Sequence, residues 1–156
     1  MILVDVNLLV YACVGEGKSH AAARSWLEAG FNGPSRVGLP WPSLLGFLRI
    51  VTHPRIMERP VSMDVAWARV AEWLELPNVW IPGPTERHDE ILGELLERSR
   101  AAGNLVPDAH LAALAIEHGL TLCSADGDFA RFPGLRWVNP LAAQGAGSAP
   151  PTSSAP

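Results

Sequence analysis

Apolar positions arrive in two rhythms along this chain. The opening "ILVDV" is a short β-branched run, apolar on both faces except at Asp5, and it predicts a fully buried strand of a parallel sheet. From about Ser19, as N-cap, to Gly30 the pattern is helical. "SRVGLP" predicts a brief second strand, and "PSLLGFLRIVTH" spaces Leu44, Leu45, Leu48 and Val51 as a helix that Pro54 stops. Ser62 caps "MDVAWARVAEWLEL", where Trp67, Val70, Ala71 and Leu74 make one face, and "NVWIP" is a third strand. Thr85 opens a long helix with Ile91, Leu92, Leu95 and Leu96 apolar and a charged exterior, ending by Gly103. In "PDAHLAALAIEHG", Pro107 suits the first helical turn and Gly119 the C-terminal cap. "LTLCS" then predicts a fourth strand and "LRWV" a fifth. Alternating strands and helices imply an α/β/α sandwich around a central, mostly parallel sheet of four to five strands.

Composition narrows the class. At 156 residues and 48% hydrophobic, the chain has material for one domain with a sizeable core. The stretch after Leu141 is Ala, Gly, Ser and Pro, so residues 1–141 are expected to form the domain and 142–156 a disordered tail. No apolar run approaches the roughly 18 residues of a membrane span, and the start lacks the basic segment of a secretory signal. A soluble cytoplasmic protein is expected. Cys13 and Cys123 lie in apolar contexts without metal-binding spacing, which predicts buried free thiols. The net charge of −4 argues against a protein that coats nucleic acid nonspecifically, though not against a local basic groove.

The chemistry lies in the aspartates. Asp64 and Asp89 fall in the first turns of helices, where attraction to the helix dipole accounts for them. The other four stand at the end of the first strand (Asp5), at the start of the late helix (Asp108), and just past the fourth strand (Asp126 and Asp128). Ligand sites of open α/β sheets form at such carboxyl ends. A charged residue in a central strand is costly unless it is paired or bound to a cation, which singles out Asp5. Converging carboxylates suit a hard divalent cation, Mg²⁺ or Mn²⁺, held by oxygens at ~2.1 Å. Such an ion activates water for attack on phosphorus, so phosphodiester hydrolysis is the leading chemistry.

Four segments in order, "LVDVNLLVYA", "GFLRIVTHP", "NLVPDAHLAALAIEHG" and "LTLCSADGDFARFPGLRWVNPL", resemble a PIN-domain ribonuclease of the VapC toxin type over residues 1 to about 141. The resemblance implies a metal-dependent endoribonuclease toxin that leaves 5′-phosphate and 3′-hydroxyl ends and is silenced by a cognate VapB-type antitoxin. It matches Asp5, Asp108 and Asp126 to the catalytic carboxylates. Asp128 matches the second acid of the "D-x-D-F" pattern, binding a second metal through water or shaping the loop. One departure is Gly46: the family commonly has a glutamate there, three residues before the arginine that is Arg49 here.

Around this set, Asn7 lies on the side of Asp5 if the strand continues, and is read as a hydrogen-bond donor to an aspartate or as a turn former. Ser124 is read either as orienting a carboxylate or as a strand-end hydroxyl. Arg49, His53, Arg55 and Arg59 form the best basic patch for RNA phosphates, against the reading of a solvated face. His110 is placed near the site and His118 at a helix C-terminus, neither catalytic. The tryptophans are assigned to core or interface packing, and the helices around Trp26, Leu48 and Trp67 to a homodimer or to an antitoxin helix.

Two rival readings stand beside this one. An aspartyl-phosphate enzyme would require a late lysine, whereas the single lysine is Lys18. A noncatalytic PIN-like module binding RNA or antitoxin is the alternative that Gly46 raises.

Overall fold

The computed structural model describes residues 1–15 and 18–142, so all but the first residue of the expected tail lies outside the described residues. The elements run β1 (Ile2–Val4), α1 (Val6–Cys13), α2 (Lys18–Phe31), β2 (Val37–Gly38), α3 (Trp41–Val51), α4 (Met63–Leu74), β3 (Val79–Trp80), α5 (His88–Ser99), α6 (Leu105–Glu117), β4 (Thr121–Cys123) and β5 (Trp137–Val138). A 3₁₀ turn, Gly127–Arg131, joins the last two strands.

The five strands form one sheet in the order β3-β2-β1-β4-β5, and every pairing is parallel. Side-chain alternation along a strand divides the core between the two faces. Val4 and its register partner Cys123 face a cluster with Leu8, Leu44, Phe47 and Trp73 from α1, α3 and α4. Leu3 and Leu122 face the other cluster, with Ile91, Leu95, Leu111 and Leu114 from α5 and α6. This is the expected α/β/α sandwich. β1 lies between the two halves, so the crevice at the carboxyl ends of β1 and β4 is the switch point where α/β sheets take ligands.

Four local features differ from the pattern reading, the slightest being that Ser19, expected as an N-cap, is the second residue of α2. The first strand stops at Val4, and "VNLLVYAC" forms α1. That segment is apolar on nearly every side, so it carries no period that separates a buried helix from a strand. In α4 the buried residues are Ala66, Val70 and Trp73, while Trp67 is 48% exposed. Thr85 lies before α5, whose N-cap is Arg87. Its hydroxyl instead accepts a hydrogen bond from the Arg87 N–H and engages Glu117.

Candidate functional site

The site begins where β1 ends. Asp5 is the N-cap of α1 and its Oδ1 accepts the Val6 N–H at 2.7 Å. Its backbone N–H still pairs with the Cys123 carbonyl at 3.0 Å, so strand pairing carries the residue into the crevice before the chain turns. Asn7, in the first turn of α1 rather than on a continuing strand, donates to Asp5 Oδ2 at 2.9 Å and to Ser124 Oγ at 2.8 Å. Ser124, fully buried, donates to Asp5 Oδ2 at 2.7 Å and accepts the Asp126 N–H at 3.0 Å. Asn7 Oδ1 takes the Ala125 N–H, and Trp137 Nε1 donates to the Ser124 carbonyl. The corner is a closed network with both Asp5 oxygens engaged. Burial pushes the Asp5 carboxyl above its ordinary range, and the Ser124 and Val6 hydrogen bonds oppose that shift.

The other carboxylates line the rim. Asp126 caps the 3₁₀ turn by accepting the Asp128 N–H at 2.9 Å. Asp128 pairs with Arg131 at 3.8 Å. Asp108 sits in the first turn of α6. Its carboxyl is pushed up to about 6 by burial and then by the charges of Asp5, Asp126 and Asp128. All four aspartates therefore share one electrostatic neighbourhood, and the uncompensated repulsion is felt at Asp108.

These donors are all oxygens, which suits a hard divalent cation. Among the described residues no group of three His, Cys, Asp or Glu side chains converges tightly enough to hold an ion by direct ligation. The arrangement fits an ion that takes one or two carboxylates and keeps several waters.

Position 46 has a structural reason to be glycine. A Cβ there would lie 3.0 Å from Val6 Cγ2, tighter than an ordinary contact, so a side chain at 46 requires Val6 to give way. That contact falls on the residue whose N–H binds Asp5. No sequence signal distinguishes it from a merely missing acid.

The other expected groups have surroundings of their own. Arg49 is in the last turn of α3, exposed, and the Arg55 N–H donates to His53 Nδ1 at 3.1 Å. No ion pair among the described residues joins them to the four aspartates. His110 Nδ1 meets His88 Nε2 at 2.9 Å, and His88 Nδ1 meets Glu117 at 3.0 Å, tying α5 to α6. His118 caps α6 and bonds the Gly83 carbonyl. Pattern reading missed both this histidine–glutamate chain and Arg131, whose partners are set by tertiary packing. Cys123 is buried, with its thiol pushed up to about 12 by burial, whereas Cys13 is exposed, contrary to expectation. On the far side of the helical layer, α2 and α4 border a groove of about 720 Å³ with Leu27, Phe31, Val65 and Trp73 along it. No helix among the described residues is long and apolar enough to cross a membrane.

Comparisons with known proteins identify the family. The PIN domain family model matches residues 2–135. Ribonuclease VapC37 of Mycobacterium tuberculosis is 42% identical over 142 residues, covering 91% of this chain and 99% of that protein. The VapC ribonuclease Mb2897 of Mycobacterium bovis is 43% identical, covering 92% and 98%. Among solved structures, a VapBC2 from Rickettsia felis, bound to a DNA fragment from its promoter, superimposes with a TM-score of 0.65 at 22% identity, covering 89% and 98%. A toxin–antitoxin complex from Klebsiella pneumoniae does so with 0.60 at 22%, covering 90% and 98%. These two likenesses concern the fold.

Proposed function

The chain belongs to the PIN-domain family, and on that premise we propose that it is an endoribonuclease toxin of a toxin–antitoxin pair, hydrolysing RNA phosphodiester bonds. The names of its relatives support the activity, and the titles of its structural neighbours support the antitoxin partner. The observation that carries the reading is the convergence of Asp5, Asp108, Asp126 and Asp128 at the switch point of a parallel sheet, with Asp5 fixed by Asn7 and Ser124.

PIN-domain VapC ribonucleases generally depend on divalent metal, and we assign Mg²⁺ or Mn²⁺ to this cluster. Asp5, Asp108 and Asp126 would surround the ion, one or two of them as direct ligands and the rest through water, with Asp128 reaching it only through water or shaping the loop. When bound, the ion would supply an acidified water and neutralise charge on the phosphate. The chain's own residues do the positioning. Ser124 and Asn7 hold Asp5 Oδ2 while the Val6 N–H holds Oδ1, Asp126 is fixed through its N–H to Ser124, and Asp108 offers a carboxylate that has no hydrogen bond to break among the described residues. Arg49 and Arg55 provide a cationic flank for the RNA backbone, with His53 beside them as a hydrogen-bonding group. The groove between α2 and α4 offers a seat for an amphipathic antitoxin segment, and the exposed Trp41, Leu45 and Trp67 offer apolar surface for a second copy. An RNA substrate supports a cytoplasmic location for the protein.

Purified protein should cleave RNA with Mg²⁺ or Mn²⁺, stop with EDTA, and leave 5′-phosphate ends. Asp5→Asn should remove cleavage while RNA binding persists. Induction in a host should arrest growth with the native chain and not with Asp108→Asn. Cleavage unaffected by EDTA or by Asp5→Asn would refute the assignment.

A further inference from the structure

Reading the site as an RNA-cleaving centre leaves a problem of charge. Four carboxylates face a substrate that is itself a polyanion. Among the described residues, a single ion pair involves any of these aspartates, and it joins Arg131 Nη1 to Asp128 Oδ1 at 3.8 Å. Both side chains are about half exposed, at 50% and 54%. An exposed pair of that length adds little to stability, so stability does not account for it.

Its placement, however, is fixed. Asp128 and Arg131 stand three residues apart in one 3₁₀ turn. Phe129 and Phe132, 1% and 3% exposed, anchor that turn in the core beneath α5 and α6, with ring centroids 6.1 Å apart. Asp126 ties its start through the Asp128 N–H. A guanidinium is therefore mounted on the same short segment as two of the carboxylates, at the solvent edge of the crevice. Arginine's planar fork suits bidentate phosphate contacts.

The geometry points to Arg131 as a phosphate-contacting residue of the RNA site, with Asp128 as the positioning residue that holds its guanidinium at the rim until the RNA backbone replaces the carboxylate. This deepens the nuclease reading and rests on it. It also directs the Asp128 carboxylate to Arg131 rather than to a metal ion.

The test compares native protein with R131A, R131K, D128N, D126N and the D128N/R131A double variant, each checked for an unchanged melting profile. Binding of a labelled single-stranded oligoribonucleotide is read by anisotropy in EDTA over about 50 to 200 mM salt. Mn²⁺ binding is read by calorimetry, and cleavage kinetics are read in Mg²⁺. R131A should weaken RNA binding by roughly tenfold, the loss of one charge-assisted contact. It should also lower the slope of log K against log salt by about 0.7, as for one phosphate contact on a single strand. KM should rise with kcat little changed, and R131K should restore the slope but only part of the affinity. D128N should shift KM when Arg131 is present and not in the R131A background, and should leave Mn²⁺ affinity intact where D126N weakens it. A native slope and KM in R131A, additive effects in the double variant, or loss of Mn²⁺ binding in D128N would each overturn the assignment while native cleavage stands. If the native chain neither binds nor cleaves RNA, the nuclease reading falls and takes this assignment with it.

Discussion

Asp5 follows a central strand and receives three hydrogen bonds on its two oxygens, whereas Asp108, in the first turn of α6, receives none among the described residues and feels the charge of three other carboxylates. Both are pushed above the ordinary carboxylate range, first by burial. At Asp5 the protein supplies its own compensation through Ser124 and Val6. At Asp108 it supplies further repulsion. The same residue type thus appears once as a fixed part of the scaffold and once as a group whose stabilisation is left to a ligand.

The sharpest way to break this comparison is Asp108→Asn. We expect cleavage to fall by more than the roughly 100-fold typical of losing a supporting hydrogen bond at a metal site. In EDTA the same variant should melt higher than native protein at pH 7.5. A folded-state carboxyl at about 6, above its ordinary 3.8, makes native stability fall as pH rises through that window, because the unfolded chain binds fewer protons there. The advantage of the variant should therefore shrink as pH drops towards 4, which melts across that range will show. Equal gains at both ends would mean that the repulsion is not centred on Asp108.

Next comes the scaffold side. Ser124→Ala strips Asp5, Asn7 and the Asp126 N–H of one partner each, and is expected to cost about 1–3 kcal/mol in urea unfolding. Activity should fall roughly 10- to 100-fold. Gly46→Glu, which restores the acid usual in the family, should destabilise by about 1–3 kcal/mol because its Cβ meets Val6 Cγ2, despite a helix-propensity gain of about 1 kcal/mol. Combining it with Val6→Ala should recover part of the loss, read as a coupling in a double-mutant cycle. The smallest effect belongs to an aspartate outside the cluster. Asp64→Asn, in the first turn of α4, should leave cleavage untouched and cost about 0.3–1 kcal/mol in the same unfolding assay.

How much of this was legible beforehand varies with the kind of signal. The five strands and the helices from α2 to α6 announced themselves through period, caps and prolines. α1 did not, because "VNLLVYAC" is apolar all round and the aspartate before it resembles a strand residue until its side chain is seen capping a helix. The four site aspartates could be chosen because each follows a strand or opens a helix. Asn7 and Ser124 are each open to two readings in sequence, and the coordinates choose the one in which both donate to Asp5 Oδ2, Ser124 from 119 residues away. Trp67 was misplaced because α4 alternates large apolar residues around its circumference, and only packing shows that Trp73 turns inward.

The separation between Asp5 and Ser124 also sets an order of events during synthesis. At about 5–20 residues per second, the ribosome makes Ser124 roughly 6–24 s after Asp5. The walls of the groove between α2 and α4 are all complete by Leu76, long before that serine exists. The residues of that groove thus all emerge well before Ser124 can join the carboxylate corner, so the two regions become whole at different times on every copy translated.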